Sequence, residues 1–410
     1  MKYANSLKYI ENFRPSGTQN TVSVRRISEL CSSLGNINRG VRFIHVPGGA
    51  SGHGCAVLME NVFKCAGYKT GRIVSPCGRD SRTSVFINGV IAQIEDYNKC
   101  VAEIKNKVGK HYDTEYLKEE IIFVLSLLLC RLSGCEFIIL EGTEKFDRVC
   151  APYELVIIPA IYDSENAMDK VVRLCDSIRA GAREVVSGNQ KSDVYNYISN
   201  VCAPSGQRLF IPVKAQFCIT EQSSRRLVFN YNGREGFTLK TPSLIMRDCA
   251  MTVIEAIMAI RREGIRIPVS AIIEGMAEAG SANSFEIISY TPTIIVDNSS
   301  NADETKLLYK TYCEVFGDDR EFSICIFAES EEEISLLLGD IPLNKIKSIL
   351  VCGHNYDMCS YKNVPLLVCR THKDAARIIS NVEDQDSTWV CFGGDFAQRI
   401  KEEIAKLINF

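Results

Sequence analysis

The chain has 410 residues, 46% of them hydrophobic and 24% charged, which is enough for two domains with their own cores. A net charge of −3 and the lack of any Lys/Arg-rich block exclude bulk attraction to nucleic acid or an anionic membrane. The longest apolar run, Ile121 to Cys130, is about half of what a bilayer span needs, and no apolar signal core follows Met1, so the expected location is the cytoplasm.

In chain order, the spacing predicts helices over Ser6–Phe13 and Val24–Leu34, then a buried strand over Val41–Val46. A glycine cluster follows, Gly48, Gly49, Gly52 and Gly54, and a helix is expected from Ala56 to Gly67. Strands over Thr70–Ser75, Phe137–Glu141 and Leu155–Ala160 alternate with helices over Tyr97–Val108 and Thr114–Ser133. Continuous apolar strands separated by helices predict a mostly parallel sheet covered on both faces. Between Leu209 and Tyr231 the segments become short and alternating, and Asn232-Gly233 supplies a hairpin turn, so a small antiparallel insert is expected. Two helices, Asp248–Glu263 and Val269–Ala279, lead to Tyr290-Thr291-Pro292-Thr293, read as the boundary between a 1–290 domain and a 291–410 domain. The last ~120 residues, about one ordinary domain, form a fresh α/β run with strands at Ile294, Phe322, Ser348, Leu366 and Thr388 and a closing helix over Asp395–Ile408. There are no internal repeats and no low-complexity linker.

Eighteen cysteines are scattered singly, without a Cys-x-x-Cys pair, and many lie in apolar runs where a thiol acts as a small hydrophobe. None of the five histidines has metal-ligand spacing. His45 ends a buried strand, His354 lies in a loop, and His111 and His372 sit in polar segments.

The strand–glycine–helix segment Ile44 to Phe63 has the layout that points backbone N–H groups and a helix N-terminus at a phosphate. A nucleotide loop also needs a Lys for the terminal phosphates and a Ser or Thr hydroxyl for Mg²⁺. Those positions read His53 and Cys55. The plain alternative is that both residues cap and pack a glycine-rich turn. Cys55 near a helix N-terminus also raises cysteine-based chemistry as a further reading.

Phe43-Ile44-His45-Val46 with its glycine loop is similar to the "IHVAGTNGKGS" segment of the folylpolyglutamate synthase/dihydrofolate synthase family, within the Mur ligase superfamily. Ala66-Gly67-Tyr68-Lys69-Thr70-Gly71 with Ser75-Pro76, Phe86-Ile87-Asn88-Gly89, and Phe285-Glu286-Ile287 resemble its "AGY..G…SPH", "RINGE" and "GRFEV" stretches. Pro292 to Asn301 resembles "PTVILDGAHNP". The resemblance implies a Mur-ligase-like α/β fold: a P-loop-type, mostly parallel central sheet with a small antiparallel insert, and a smaller Rossmann-like C-terminal domain. It implies an ATP-dependent ligase that activates a carboxylate as an acyl phosphate for attack by an amino group, such as that of glutamate on folate or a related carboxylate. ATP and Mg²⁺ would be the cofactors if the chain is active, and none otherwise.

Carried over residue by residue, the resemblance breaks at most decisive places. The loop Lys is His53 and the metal-binding hydroxyl is Cys55, within a vestigial nucleotide loop of Gly48, Gly49, Ser51, Gly52, His53, Gly54 and Cys55. The Mg²⁺-binding Glu is retained as Glu141, but the ligand His of "GLDH" reads Ser164. The carbamylated Lys of "EKAG" aligns with Ala182, or with Arg183 on a shift of one. The Arg of "GRFE" reads Ser284 and the His of "DGAHNP" reads Ser300. Asp297 and Asn301 survive. The expectation is a catalytically degenerate relative that binds a folate-like or other small carboxylate ligand, or pairs with an active ligase homologue or with itself.

Overall fold

The computed structural model describes residues 2–13, 21–75, 80–109, 116–163, 165–339, 341–353 and 360–408. These fall into two compact units that interleave along the chain. The first contains residues 1–160, 168–212 and 249–278, and the second residues 161–167, 213–248 and 279–410. The sequence reading draws one linear boundary near 290. The structure instead ties 213–248 and 279–290 to the C-terminal segment through bonds such as Thr241 Oγ1 to Ser284 O (2.7 Å) and Arg247 to Glu314 (2.7 Å).

In the first unit the strands are β1 (Arg42–Val46), β2 (Thr70–Val74), β3 (Val85–Ile87), β4 (Val90–Ile91), β5 (Phe137–Glu141), β6 (Tyr153–Ile158), β7 (Ala182–Ser187) and β8 (Leu209–Phe210). Among the described residues they make one sheet in the order β4-β3-β2-β5-β1-β6-β7-β8. All neighbours are parallel except the edge hairpin β2-β3-β4. Strands β5 and β6 are buried along their whole length, which is why Phe137–Leu140 and Leu155–Ile158 read as unbroken apolar runs. Leu209-Phe210, expected in the antiparallel insert, pairs in parallel with Val185-Val186 at the sheet edge instead. Two residues are too few to show alternation, so this membership was set by tertiary pairing.

The helices of this unit are α1 (Tyr3–Glu11), α2 (Val24–Ser33), α3 (Ala50–Cys65), α4 (Ile94–Val108), α5 (Lys118–Leu132), the short α6 (Asp147–Cys150), α7 (Ala167–Gly181), α8 (Ser192–Cys202), α9 (Leu244–Arg262) and α10 (Val269–Glu278). Helix α9 begins within the segment of the second unit. Helix α10 packs so closely on α3 that a Cβ on Gly275 would sit 2.5 Å from Val62 Cα. Only glycine permits that approach.

The second unit holds an antiparallel sheet β11-β10-β9, from β9 (Phe217–Gln222), β10 (Leu227–Tyr231) and β11 (Arg234–Leu239). Its β10–β11 turn places Asn232 and Gly233 at φ 51° and 70°, the left-handed pair that the sequence announces. The larger sheet runs β12-β13-β18-β14-β15-β17-β16, from β12 (Glu286–Tyr290), β13 (Thr293–Asp297), β14 (Phe322–Phe327), β15 (Ile346–Cys352), β16 (Ser360–Tyr361), β17 (Val364–Cys369) and β18 (Thr388–Phe392). Its interior pairs are parallel and its two edges antiparallel. Helices α11 (Ala302–Phe316), α12 (Glu331–Leu338), α13 (His372–Ser380) and α14 (Asp395–Ile408) cover it. The expected fold class, a mostly parallel α/β sheet with a small antiparallel insert and a second α/β unit, is the one observed.

Candidate functional site

Strand β1 ends at Val46, and Pro47-Gly48-Gly49 turns the chain into α3. The helix starts at Ala50, not near Ala56, so Gly52, His53, Gly54 and Cys55 lie on its first turns and only Gly48 and Gly49 form the loop proper. Gly49, at φ +95°, is the N-cap, and His53 N–H bonds its carbonyl at 2.8 Å. Gly52 faces the turn so tightly that a Cβ there would lie 1.8 Å from Pro47 O. Glycine at these places hides the helix start from a propensity reading, because glycine normally weakens helices.

Glu141 closes β5 in register with Val46 of β1 and Val74 of β2. The following Gly142 bonds Val46 O through its N–H (3.0 Å), and a Cβ on it would come within 3.2 Å of Gly48 Cα. The glycine loop and the acid therefore meet. His53 Nδ1 lies 2.8 Å from Glu141 Oε1, and Arg72 Nη1 donates to Glu141 Oε2 at 2.8 Å. Arg72 Nε donates in turn to Glu60 Oε2 at 2.9 Å, while Glu60 Oε1 accepts the Gly89 N–H at 2.7 Å. Arg72 also stacks over Phe86, with 4.3 Å from Cζ to the ring centroid. The result is a chain of contacts, His53–Glu141–Arg72–Glu60, whose last three members are buried and alternate in charge.

Burial works to raise the Glu141 carboxyl, but His53 and Arg72 outweigh it and hold the group at about 2. Because that carboxylate is ionised and only accepts, the proton of the His53 bond sits on Nδ1. Arg72 shows the mirror balance: burial disfavours its charge, and Glu141 with Glu60 keeps it. At the mouth of the loop, Glu144 Oε1 accepts the Gly48 N–H at 3.3 Å, so a backbone donor that would face an anion already has one from the chain itself.

Cys55 is buried, with its Sγ 4.0 Å from Cys249 O, and Cys249 Sγ donates to Ser51 O at 3.2 Å. A thiol packed in this way is a core group; reactive cysteines are partly exposed. The cysteine-chemistry reading loses its candidate.

These residues do not fit a resident Mg²⁺. Both oxygens of Glu141 are engaged by cationic or proton-bearing groups, and the hydroxyl position is a buried soft sulfur. Among the described residues no group of three or more His, Cys, Asp or Glu side chains is arranged to hold a metal. Ser164 lies outside the described residues, as do Pro76, Cys77, His111 and His354.

Ala182 and Arg183 open β7, with Ala182 in register with Tyr153 at the start of β6. They sit at the N-terminal ends of the strands, whereas the glycine loop follows a C-terminal end. The alignment of either residue with a site lysine does not hold in space.

Within the second unit, Asp297 ends β13 and is buried. Its Oδ1 accepts from Ser299 N–H (2.8 Å) and Ser299 Oγ, and its Oδ2 from Phe285 N–H (2.7 Å) and Ser284 Oγ (3.3 Å). Burial pushes its carboxyl up, and these bonds pull against that. Asn301 is the N-cap of α11, accepting Glu304 N–H at 3.0 Å, and Glu304 reaches back to Ser300 N–H (2.8 Å) and Oγ (3.1 Å). Asp297 and Asn301 thus do loop and helix-end work.

No protein-family model matches the sequence, and no curated protein matches it. Solved structures do. Folylpolyglutamate synthase from Thermotoga maritima is 20% identical with a TM-score of 0.76, covering 98% of this chain and 96% of that one. Mycobacterium tuberculosis folylpolyglutamate synthase complexed with ADP gives 14%, 0.76, 99% and 98%, and a folylpolyglutamate synthase complex with AMPPCP and folate gives 15%, 0.76, 99% and 100%. The chain has the folylpolyglutamate synthase fold. Arg72 and Glu60, the two members of the charge chain missed in the sequence, lie on β2 and α3 of that fold. Their signal was a charged side chain in an otherwise apolar buried run, a place where charge persists only when paired.

Proposed function

We propose that the chain is a folylpolyglutamate synthase-like protein of the Mur ligase type that has given up ATP turnover and acts by holding a small ligand or by pairing with a protein partner. The observation that carries this reading is Glu141. The acid matched to the family's Mg²⁺ ligand has both oxygens occupied from within, by Arg72 and by His53, and Glu144 caps the loop amide beside it. A metal at Glu141 would have to displace a buried guanidinium. Removing one partner from such a pair costs about 3–5 kcal/mol. At the loop-lysine position phosphate charge would meet His53 instead, and losing one such stabilising donor typically raises a barrier by about 2.7–4 kcal/mol.

A folate-like or other small carboxylate is the ligand class that the fold and the folate-bound neighbour suggest, and the partner would be an active relative or a second copy. No described helix is long and apolar enough to cross a membrane. The test is a calorimetric titration with MgATP, paired with the His53→Lys/Cys55→Ser variant and a glutamate-dependent phosphate-release assay. The expected result is no turnover by the unaltered protein. Tight MgATP binding with glutamate-dependent turnover would establish the alternative, an active amide ligase, and overturn the proposal. Thermal-shift screening with folates then reads whether the ligand pocket is kept.

A further inference from the structure

We propose that the first unit carries an anion site separate from the glycine loop: an arginine-lined cavity at the N-terminal ends of the parallel strands that takes a small polyanion bearing several phosphate or carboxylate groups. The cavity has a volume of about 960 Å³ and is lined by Arg39, Arg42, Arg148 and Arg183 against only two acids, Glu136 and Glu154. That size lies at the upper end of small-molecule pockets, roughly 300–1,000 Å³. Both acids are already engaged. Glu154 is buried beside Arg183, with 3.8 Å between Oε1 and Nη1, and Glu136 Oε1 accepts the Lys69 N–H at 3.3 Å. Among the described residues, Arg39, Arg42 and Arg148 have no carboxylate partner. An excess of positive charge is thus gathered into one concavity of a chain whose net charge is −3.

The walls are held in place. Arg42 N–H bonds Glu136 O (3.1 Å) and its guanidinium lies over Phe137, 5.4 Å from the ring centroid. Asn38 Nδ2 donates to Val149 O at 2.9 Å, tying the Arg39 turn to the residue after Arg148. Arginine forks grip phosphate and carboxylate oxygens two at a time, which a lysine cannot do. Arg42 opens β1 and Val46 closes it, so at ~3.3 Å per residue the cavity and the glycine loop are separated by the length of a strand, about 13 Å. A ligand here neither requires nor blocks the loop.

The experiment is isothermal titration of the full chain, at constant ionic strength, with sodium tripolyphosphate and, in a second arm, with a triglutamate peptide. The variants are Arg42→Gln/Arg148→Gln and, as a surface-arginine control from the second unit, Arg225→Gln. Saturable binding of either probe is expected, weakened about tenfold or more for each cavity arginine removed and unchanged by Arg225→Gln. Tighter tripolyphosphate assigns a phosphate ligand, and tighter triglutamate a carboxylate one. Absence of saturable binding in both arms, or equal binding by the double variant, overturns the proposal. Unchanged melting of the unliganded double variant shows that it folds, and Arg39→Gln alone supplies the same readout if it does not.

Discussion

Arg72→Met removes one guanidinium that serves two buried carboxylates while keeping most of the side chain's apolar stem. The side chains of Arg72, Glu60 and Glu141 are 7%, 2% and 7% exposed, so water cannot take over the lost contacts. Stripping one partner from a buried pair typically costs about 3–5 kcal/mol, and the 2.9 and 2.8 Å bonds to two acids place Arg72 within that range even though Glu141 keeps His53. The loss must also depend on pH. Glu141 is held at about 2, against an ordinary glutamate value of about 4.3 in the unfolded chain. A depressed carboxyl contributes stability that is complete above the unfolded value and is lost as pH falls through the folded one. The gap between wild type and Arg72→Met should therefore be widest near neutrality and shrink from about pH 5 towards pH 2. Urea unfolding followed by far-UV circular dichroism measures it. The lone tryptophan, Trp389 on β18, reports the second unit as an internal reference. Adding Glu141→Gln to Arg72→Met should recover part of the loss, giving a coupling of about 1–3 kcal/mol. A variant within about 1 kcal/mol of wild type at pH 7, or a gap that ignores acid, would refute the internal-cation account.

Gly52→Ala places a methyl group 1.8 Å from Pro47 O and should destabilise by at least about 1–3 kcal/mol, visible as a lowered melting temperature; wild-type melting would mean the turn can yield. Asn301→Ala should lose about 1 kcal/mol through its helix cap while leaving any nucleotide affinity unchanged, so an affinity loss without a stability loss would restore a binding role. In native buffer a thiol reagent should label the exposed Cys218 quickly and leave Cys55 unlabelled until urea is added, as mapped by peptide mass spectrometry; Cys55 labelling at the rate of Cys218 would contradict its burial.

Much of the fold was legible because its strands carry their own signal. Phe137 to Glu141 is apolar up to its last residue, and the end of that run coincides with the end of β5. Asn232-Gly233 likewise announces a turn that the backbone makes. The failures have physical causes. The sequence pattern starts α3 at Ala56, six residues after its true start at Ala50, because its first turns are rich in glycine, required at Gly52 by close approach rather than by flexibility. Leu209-Phe210 looked like part of the insert because a two-residue edge strand has no period to read. Local likeness alone matches Ala182 to a site lysine, and only the strand register shows it at the opposite strand ends from the glycine loop. Register is a tertiary property and leaves no local trace.

The departures from the loop motif stand in the sequence, at His53 and Cys55, whereas the contacts around Glu141 do not. His53 and Cys55 could be read as losses, yet the sequence gives no distance between Arg72 and Glu141, 69 positions apart. That distance changes the meaning of the retained acid. A carboxylate buried at a strand end needs positive charge whether or not chemistry occurs there. A metal supplies that charge reversibly and leaves coordination positions for a substrate. A guanidinium supplies it permanently and offers no open position. Glu141 therefore has a place in the fold that requires no metal, just as Asp297 holds Phe285 and Ser299, and Asn301 caps a helix. Each survivor of the motif set has a partner within its own unit that accounts for its presence. A motif residue argues for catalysis most strongly when its polar atoms are left for a ligand, and both oxygens of Glu141 and of Asp297 already have partners in the chain.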